Sequence, residues 1–237
     1  MSLDNFQTEI LEVARSAHNY RKWLSRLTFP YLGDNPLELG AGLGDFAGEW
    51  LRMGASHLTL SENSPSRVTA LTQRFRDFDR VNIRSLNAEE QLETWGSNYS
   101  CVISLNVLEH IEDDTATIRF AHQVLRPGGV FVAFVPASNF LFSEFDKSIG
   151  HHRRYSKDLL RVRVIDAGFQ IEEMYYVNLA GWFAWLFGMR LFRLSPKDGM
   201  LLTVWDRLVI PTTMAAERFI TPPFGQSLFV VGKKVTE

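Results

Sequence analysis

Apolar segments of strand length alternate with amphipathic segments of helix length along the chain, and no internal repeat or Ser/Gly- or Pro-rich linker breaks the order. A first amphipathic stretch, Phe6 to Leu27, predicts a helix that stops before Phe29-Pro30, where the pre-proline restriction disfavours helical backbone. The apolar run Pro36 to Leu39 predicts a first strand, followed by the glycine turn Gly40 to Gly44 and a helix through Met53 that Gly54 ends. His57 to Ser61 is the second strand. Ser64-Pro65 then reads as an N-cap with proline at the first helical position, opening a helix to about Phe78. Val81 to Ser85 and the continuous apolar run Tyr99 to Leu105 are the third and fourth strands, the fourth of the kind buried on both faces of a parallel sheet. A helix over Asp113 to Leu125, a turn at Pro127-Gly128-Gly129 and a fifth strand at Val130 to Val135 follow. A polar segment to Tyr155, a helix from Ser156 to Ala167 closed by Gly168, a sixth strand from Phe169 to Val177 and a last strand at Ser227 to Lys233 complete the pattern. It predicts one α/β domain: a doubly wound, seven-stranded, mostly parallel sheet with an N-terminal helix and a helical insertion between strands 6 and 7. Its parts are an N-terminal helical cover (1–30), a ligand-binding core (31–177), an apolar insertion (178–225) and the last strand (226–237).

Composition narrows the function. With 46% hydrophobic residues the 237-residue chain can bury one substantial core. Its 25 basic and 27 acidic residues leave a net charge of −2, so the broad positive field that nucleic-acid binding needs is missing. The single cysteine, Cys101, lies inside the fourth strand's apolar run and reads as a buried spectator. The start MSLDNFQTEILEV has no basic flank before an apolar stretch, which predicts a cytoplasmic protein. Histidines spaced as metal ligands are also missing: there is no H-x-x-x-H pair, and His151-His152 are adjacent, so no metal is expected.

The most specific motif is Glu38-Leu39-Gly40-Ala41-Gly42-Leu43-Gly44 between a strand and a helix, where glycines permit a tight turn and close approach of a ligand. The third glycine is one position early for a dinucleotide fingerprint, and Asp45 just inside the helix would repel a phosphate. Glu62, 22 residues after Gly40, ends the second strand where a carboxylate can accept ribose hydroxyl protons. The third and fourth strands end in Asn87-Ala88-Glu89 and Asn106-Val107-Leu108-Glu109-His110, which flank the same crevice and could bracket an adenine.

Taken in order, ELGAGLGDF, SEN, NAEE, SLNVLEHIEDD and LRPGG resemble the class I S-adenosylmethionine-dependent methyltransferases, on a Rossmann-like fold. The likeness is strong over about Leu24 to Val135. It implies that Glu38, Gly40, Ala41, Gly42 and Gly44 hold the methionine part of S-adenosylmethionine, that Glu62 with Asn63 holds the ribose, and that Asn87, Ala88 and Glu89 meet the adenine. Asn87 stands where the family usually has aspartate. Asn106, Val107 and Leu108 would lie beneath the sulfonium, and the product would be S-adenosylhomocysteine. The later FDKSIGHHRRYSKDLL resembles bacterial members of the family, some encoded beside or fused to glycosyltransferases. Two alternatives stay open at this point: a catalytically silent cofactor-binding partner of a glycosyltransferase, and an NAD-dependent oxidoreductase on the related fold, which Glu62 alone would permit.

Methyl transfer to an oxygen, the favoured reaction over nitrogen, needs a route for the hydroxyl proton. His151 or His152 is the expected base, with His110 at the crevice as a further candidate, whereas His18, His57 and His122 lie in helix and strand contexts and read as structural. Arg153, Arg154 and Tyr155 are expected to meet a phosphate or carboxylate of the acceptor. Tyr20 and Trp182 are further expected contacts, from the N-terminal helix and the insertion. The insertion is rich in large apolar groups, among them Trp182, Phe183, Trp185, Phe187, Trp205 and Phe219, yet too short in its uncharged part to span a bilayer. It could cover an acceptor pocket, form a homodimer face, or rest peripherally on a membrane. The apolar cover points to a small or lipid-linked acceptor.

Overall fold

The computed structural model describes residues 3–86, 95–191 and 199–235. One seven-stranded sheet carries β1 (Pro36–Leu39), β2 (Leu58–Glu62), β3 (Val81–Ser85), β4 (Tyr99–Leu105), β5 (Leu125–Pro136), β6 (Phe169–Val177) and β7 (Ser227–Lys234), in the spatial order β3-β2-β1-β4-β5-β7-β6. All neighbours pair in parallel except β7, which runs antiparallel between β5 and β6. This is the expected doubly wound, mostly parallel sheet. The order reverses between β1 and β4, so a crevice opens at their carboxyl ends.

The helices are α1 (Leu3–Ala14), α2 (His18–Thr28), α3 (Asp45–Arg52), α4 (Pro65–Phe75), α5 (Asp114–Val124), α6 (Glu144–Ser148), α7 (Lys157–Asp166), α8 (Leu179–Ala184), α9 (Gly199–Val204) and α10 (Ile210–Glu217). Local chemistry sets many of their ends. Ser64, Asp113 and Ser156 each accept a hydrogen bond from a backbone N–H in the first turn of α4, α5 and α7. Every residue of β4 is buried, because apolar layers cover both faces of the sheet. Trp50, Leu60, Ile103 and Phe134 anchor one layer, and Leu37, Val102, Phe131 and Tyr155 the other.

Three elements depart from the sequence expectation. The single N-terminal helix is two helices, because the carboxylate of Asp206, from the insertion, accepts the backbone N–H groups of Asn19 and Tyr20 at 2.9 Å and caps α2 from outside. β5 starts at Leu125, since the chain re-enters register beside Tyr99 before the Pro-Gly-Gly turn. The polar segment holds the short helix α6, opened by a capping box between Ser143 and Asp146.

Candidate active site

The glycine turn is left-handed at Gly40, Gly42 and Gly44, with φ of 66°, 58° and 74°. Its N–H groups are already used: Ala41 donates to Ser61 O (2.8 Å), Gly42 to Glu62 Oε2 (2.9 Å) and Gly44 to Ala41 O (2.8 Å). A phosphate cradle needs such donors free, so this turn is not one. Glu62 is buried, and its other oxygen accepts from the N–H groups of Asn63 and Ser64 and from Arg67 Nη2, each at 3.0 Å. It therefore locks the turn to the end of β2 and keeps one acceptor site on Oε2. Asn63 is exposed beside it.

The crevice floor is Val107, so close to the turn that a Cβ on Gly40 would lie 2.7 Å from its side chain. Three residues of the expected cofactor set do other work. Gly44 faces helix α4, where a Cβ would meet Phe75 at 2.5 Å and Leu71 at 2.8 Å, so glycine there serves helix packing. Leu108 and Ala41 are buried in the two apolar layers. Asn87, Ala88 and Glu89 lie outside the described residues. Asn106 is exposed at the end of β4 with φ of +54°, and the end of β5 (Ser138, φ 66°) and of β6 (Asn178, φ 63°) are left-handed as well. Tyr20 packs into the apolar layer beside Phe134, and burial, foremost, pushes its pKa up.

Glu38 tests whether S-adenosylmethionine fits. Its Oε2 is buried without a hydrogen-bond partner, and burial, reinforced by the nearby Asp45 and Glu62 carboxylates, raises its pKa well above the usual carboxylate range. An orphaned acid beside a glycine turn needs a donor of positive charge, which the α-ammonium of the methionine moiety supplies. The spare lone pair on Glu62 Oε2 likewise suits a ribose hydroxyl. The residues fit the cofactor.

Helix α1 lies across the mouth. Asp4 accepts from Arg67 Nη1 (2.7 Å) and Ser64 Oγ (3.0 Å), Gln7 donates to Ile149 O (2.9 Å), and Leu11 packs over Gly42. Arg15, just past its end, pairs with Asp45 at 3.2 Å. None of these residues stood out in the sequence, because polar residues on an amphipathic helix read as a solvated face.

Beside Asn106 lies a cluster of ionisable groups. His151 Nδ1 is 2.9 Å from Asp146 Oδ1, and its Nε2 is 3.8 Å from Glu109 Oε1. The ring of His110 meets that of His151 edge-on at 4.6 Å. Glu109 is fully buried with neither carboxylate oxygen hydrogen-bonded; burial outweighs its own backbone N–H and the charge of Arg154 and pushes its pKa to about 8. His110 is pushed down to about 4, by burial first and by His151 second. Burial also works to raise Asp146, but the hydrogen bond from His151 and the charge and bonds of Arg154 outweigh it and hold it at about 2.

The structure corrects the acceptor-binding set. Arg154 is only 1% exposed, bonded through Nε and Nη2 to Asp146 (3.0 and 2.8 Å), with its guanidinium 4.4 Å from the Trp185 ring centre. Arg153 pairs with Asp114 (2.9 Å) and donates to Glu112 O (2.7 Å), and the buried Tyr155 donates to Asp114 at 2.7 Å. Their charges are spent on internal carboxylates and none is free for a phosphate. His152 has an exposed side chain and contributes its backbone N–H to Glu109 O. Trp182 donates to Ser138 Oγ (3.2 Å) and Trp185 to Leu141 O (3.2 Å), so α8 packs on the segment after β5. Glu109, His110 and His151, which show no metal-ligand spacing along the sequence, offer ligand atoms all within 4.8 Å of one another. Asp146 went unnoticed in the sequence, where S-x-x-D at Ser143 signals only a helix start.

Comparison with known proteins bears on this crevice. Residues 37–131, from β1 into β5, match the family model described as a methyltransferase domain. Over these residues the chain is similar to a methyltransferase domain. S-adenosylmethionine is the cofactor of the methyltransferase family, and the residues of the crevice fit it. The chain is 27% identical over 104 residues to the ubiquinone biosynthesis O-methyltransferase of Pseudomonas aeruginosa strain PAO1, covering 44% of this chain and 45% of the relative. The chain thus spans under half the length of that relative. Among solved structures, a chain in the complex between the Haloferax volcanii Trm112 methyltransferase activator and a methyltransferase superposes with a TM-score of 0.67 at 17% identity, covering 99% of this chain and 98% of that one. A geranyl diphosphate methyltransferase in complex with S-adenosylmethionine gives 0.62 at 13% identity, with 90% and 85% covered. These structures share the methyltransferase domain's fold.

Proposed function

We propose that the protein transfers a methyl group from S-adenosylmethionine to an oxygen of a small or lipid-linked acceptor. The observation that carries this reading is the Asp146–His151 pair beside Asn106, next to the crevice of the methyltransferase domain. When bound, the cofactor supplies an electrophilic methyl carbon and leaves as S-adenosylhomocysteine. The chain's own residues do the rest. Glu38 and Glu62 hold the charged and ribose ends, Val107 forms the floor, and α1 closes the mouth against water. Displacement at the methyl carbon is mainly a matter of alignment, but a hydroxyl must also lose its proton. Asp146 fixes Nδ1 of His151 and leaves Nε2 for that task.

Oxygen is favoured because a proton-accepting cluster is built here, and because the Pseudomonas relative is an O-methyltransferase by name. The lipid-linked arm is supported by the large apolar groups that the insertion leaves in solvent, Phe219 at 88% and Ile220 at 65% exposure foremost.

Incubation with methyl-labelled S-adenosylmethionine and a panel of hydroxylated small molecules and polyprenyl-linked sugars tests this. Label is expected in one acceptor's oxygen, with turnover falling at least ~10²-fold in His151→Ala while S-adenosylhomocysteine binding is kept. Glu62→Ala is expected to lose cofactor binding and to destabilise the fold by about 3–5 kcal/mol, because Arg67 and three backbone N–H groups lose their acceptor. Full turnover in His151→Ala would overturn the assignment of that residue.

A further inference from the structure

The buried carboxylate of Glu109 is the least explained group in the molecule. Neither of its oxygens has a hydrogen-bond partner, and the side chain is 1% exposed. Two imidazoles stand around it. His151 turns Nε2 toward Oε1 at 3.8 Å while its Nδ1 is held by Asp146, and His110 meets the His151 ring edge-on. Besides a backbone contact to Gly150, the His110 ring meets Gln7, whose Nε2 is 3.4 Å from Nδ1, a weak contact.

We propose that Glu109, His110 and His151 bind one divalent transition-metal ion of the zinc type, with positions left over for an acceptor oxygen. The proposal rests on the methyltransferase reading only for what the ion is for; its occupancy stands by itself. One ligand atom from each residue lies within 4.8 Å of the others, and rotation of the side chains to bonds of about 2.1 Å would bring them to roughly 3.4 Å apart. The ion answers the orphaned carboxylate, which no protein donor does. Asp146 occupies the outer position that carboxylates take behind metal-bound histidines, fixing the tautomer so that Nε2 points inward. Two imidazoles with one carboxylate suit zinc, iron, cobalt or manganese, whereas magnesium and calcium prefer all-oxygen sites. Arg154, bonded to Asp146, keeps that outer carboxylate ionised beside a cation.

A hydroxyl held on such an ion loses its proton more readily, and with its Nε2 on the ion His151 serves as a ligand in place of the base role it has in the metal-free site. Its O–H bond breaks with the proton passing to solvent, the new O–C bond forms to the methyl carbon, and the S–C bond of the cofactor breaks with its electron pair staying on sulfur.

The test is titration of the chelator-stripped full chain with cobalt(II), followed by visible absorption and calorimetry. One equivalent per chain is expected, with a d–d band in the visible. Glu109→Gln and His151→Ala should each weaken binding at least tenfold, Asp146→Asn by ~10–100-fold, and His57→Ala not at all. S-adenosylhomocysteine binding and the thermal midpoint, measured on the same variants, report folding; if Glu109→Gln does not fold, His151→Ala decides. Substoichiometric binding, or affinity unchanged in both ligand variants, overturns the site and leaves a protonated Glu109 facing His151. Methyl transfer that persists after complete chelation overturns the catalytic use alone. Cobalt binding without any binding of the adenosyl ligands would instead break the methyltransferase reading and leave the metal site standing.

Discussion

Glu38 and Glu62 stand near the carboxyl ends of neighbouring strands, 24 residues apart, yet their surroundings give them opposite tasks. Glu62 accepts four hydrogen bonds and holds the turn, whereas Glu38 keeps an unpartnered oxygen and a raised pKa. The sign of the pH effect follows. In the unfolded chain Glu38 ionises near pH 4.5, but in the fold it keeps its proton to higher pH, so its contribution to stability falls as pH rises above about 4.5. Glu38→Gln removes that loss. Without cofactor the variant is expected to gain ~1–3 kcal/mol over the parent at pH 8 and little at pH 4.5, read by urea denaturation at both values. Its affinity for S-adenosylmethionine should fall at least ~10-fold, a case of stability given up for binding. The motif around Glu38 was legible because strand, glycine and acid are local signals. The hidden state of Arg154 and Tyr155 was not, since a density of cations in sequence says nothing about which carboxylates they meet once folded.

At the scale of elements, the N-terminal cover is the part that can move. α1 has no fully buried residue and is fastened through its own side chains at three places: the loop after β2 with Arg67, the Ile149 carbonyl before His151, and the glycine turn. Such a helix opens at low free-energy cost compared with the sheet. Amide hydrogen exchange over residues 3–14 is expected to be fast in the free protein and to slow several-fold with S-adenosylhomocysteine, while β4 stays protected in both states. Asp4→Ala, which releases Arg67 and Ser64, should speed exchange in α1 and raise the cofactor dissociation rate; equal exchange with and without ligand would show that α1 does not close on the cofactor. The break between α1 and α2 was invisible in the sequence for a physical reason. No Gly or Pro marks it, and the cap comes from Asp206, 187 residues from Asn19.

Over the whole molecule, the described part of the insertion is fastened at several points and leaves large apolar side chains in solvent beside them. Asp206 caps α2, Glu217 accepts the N–H groups of Asn178 and Leu179 at the start of α8, and Trp182 and Trp185 bond to the segment after β5. These contacts hold the described part of the insertion to α2 and to the segment after β5. They also turn two of the insertion's acids inward, while Arg207 and Arg218 stay exposed next to Leu208, Phe219 and Ile220. No helix among the described residues is long and apolar enough to cross a membrane. Shallow seating of apolar side chains beside arginines is what an anionic bilayer surface rewards, and the homodimer alternative has no such need for charge. The full chain is therefore expected to float with vesicles containing about 30% anionic lipid, less so as salt rises through ~0.5 M, and to stay behind with neutral vesicles. The double variant Phe219→Asp and Ile220→Asp should lose flotation with S-adenosylhomocysteine binding intact, since neither residue touches the crevice. Flotation unchanged in that variant, or a stable dimer in sedimentation that the same substitutions split, would assign the bare face to a second copy of the chain.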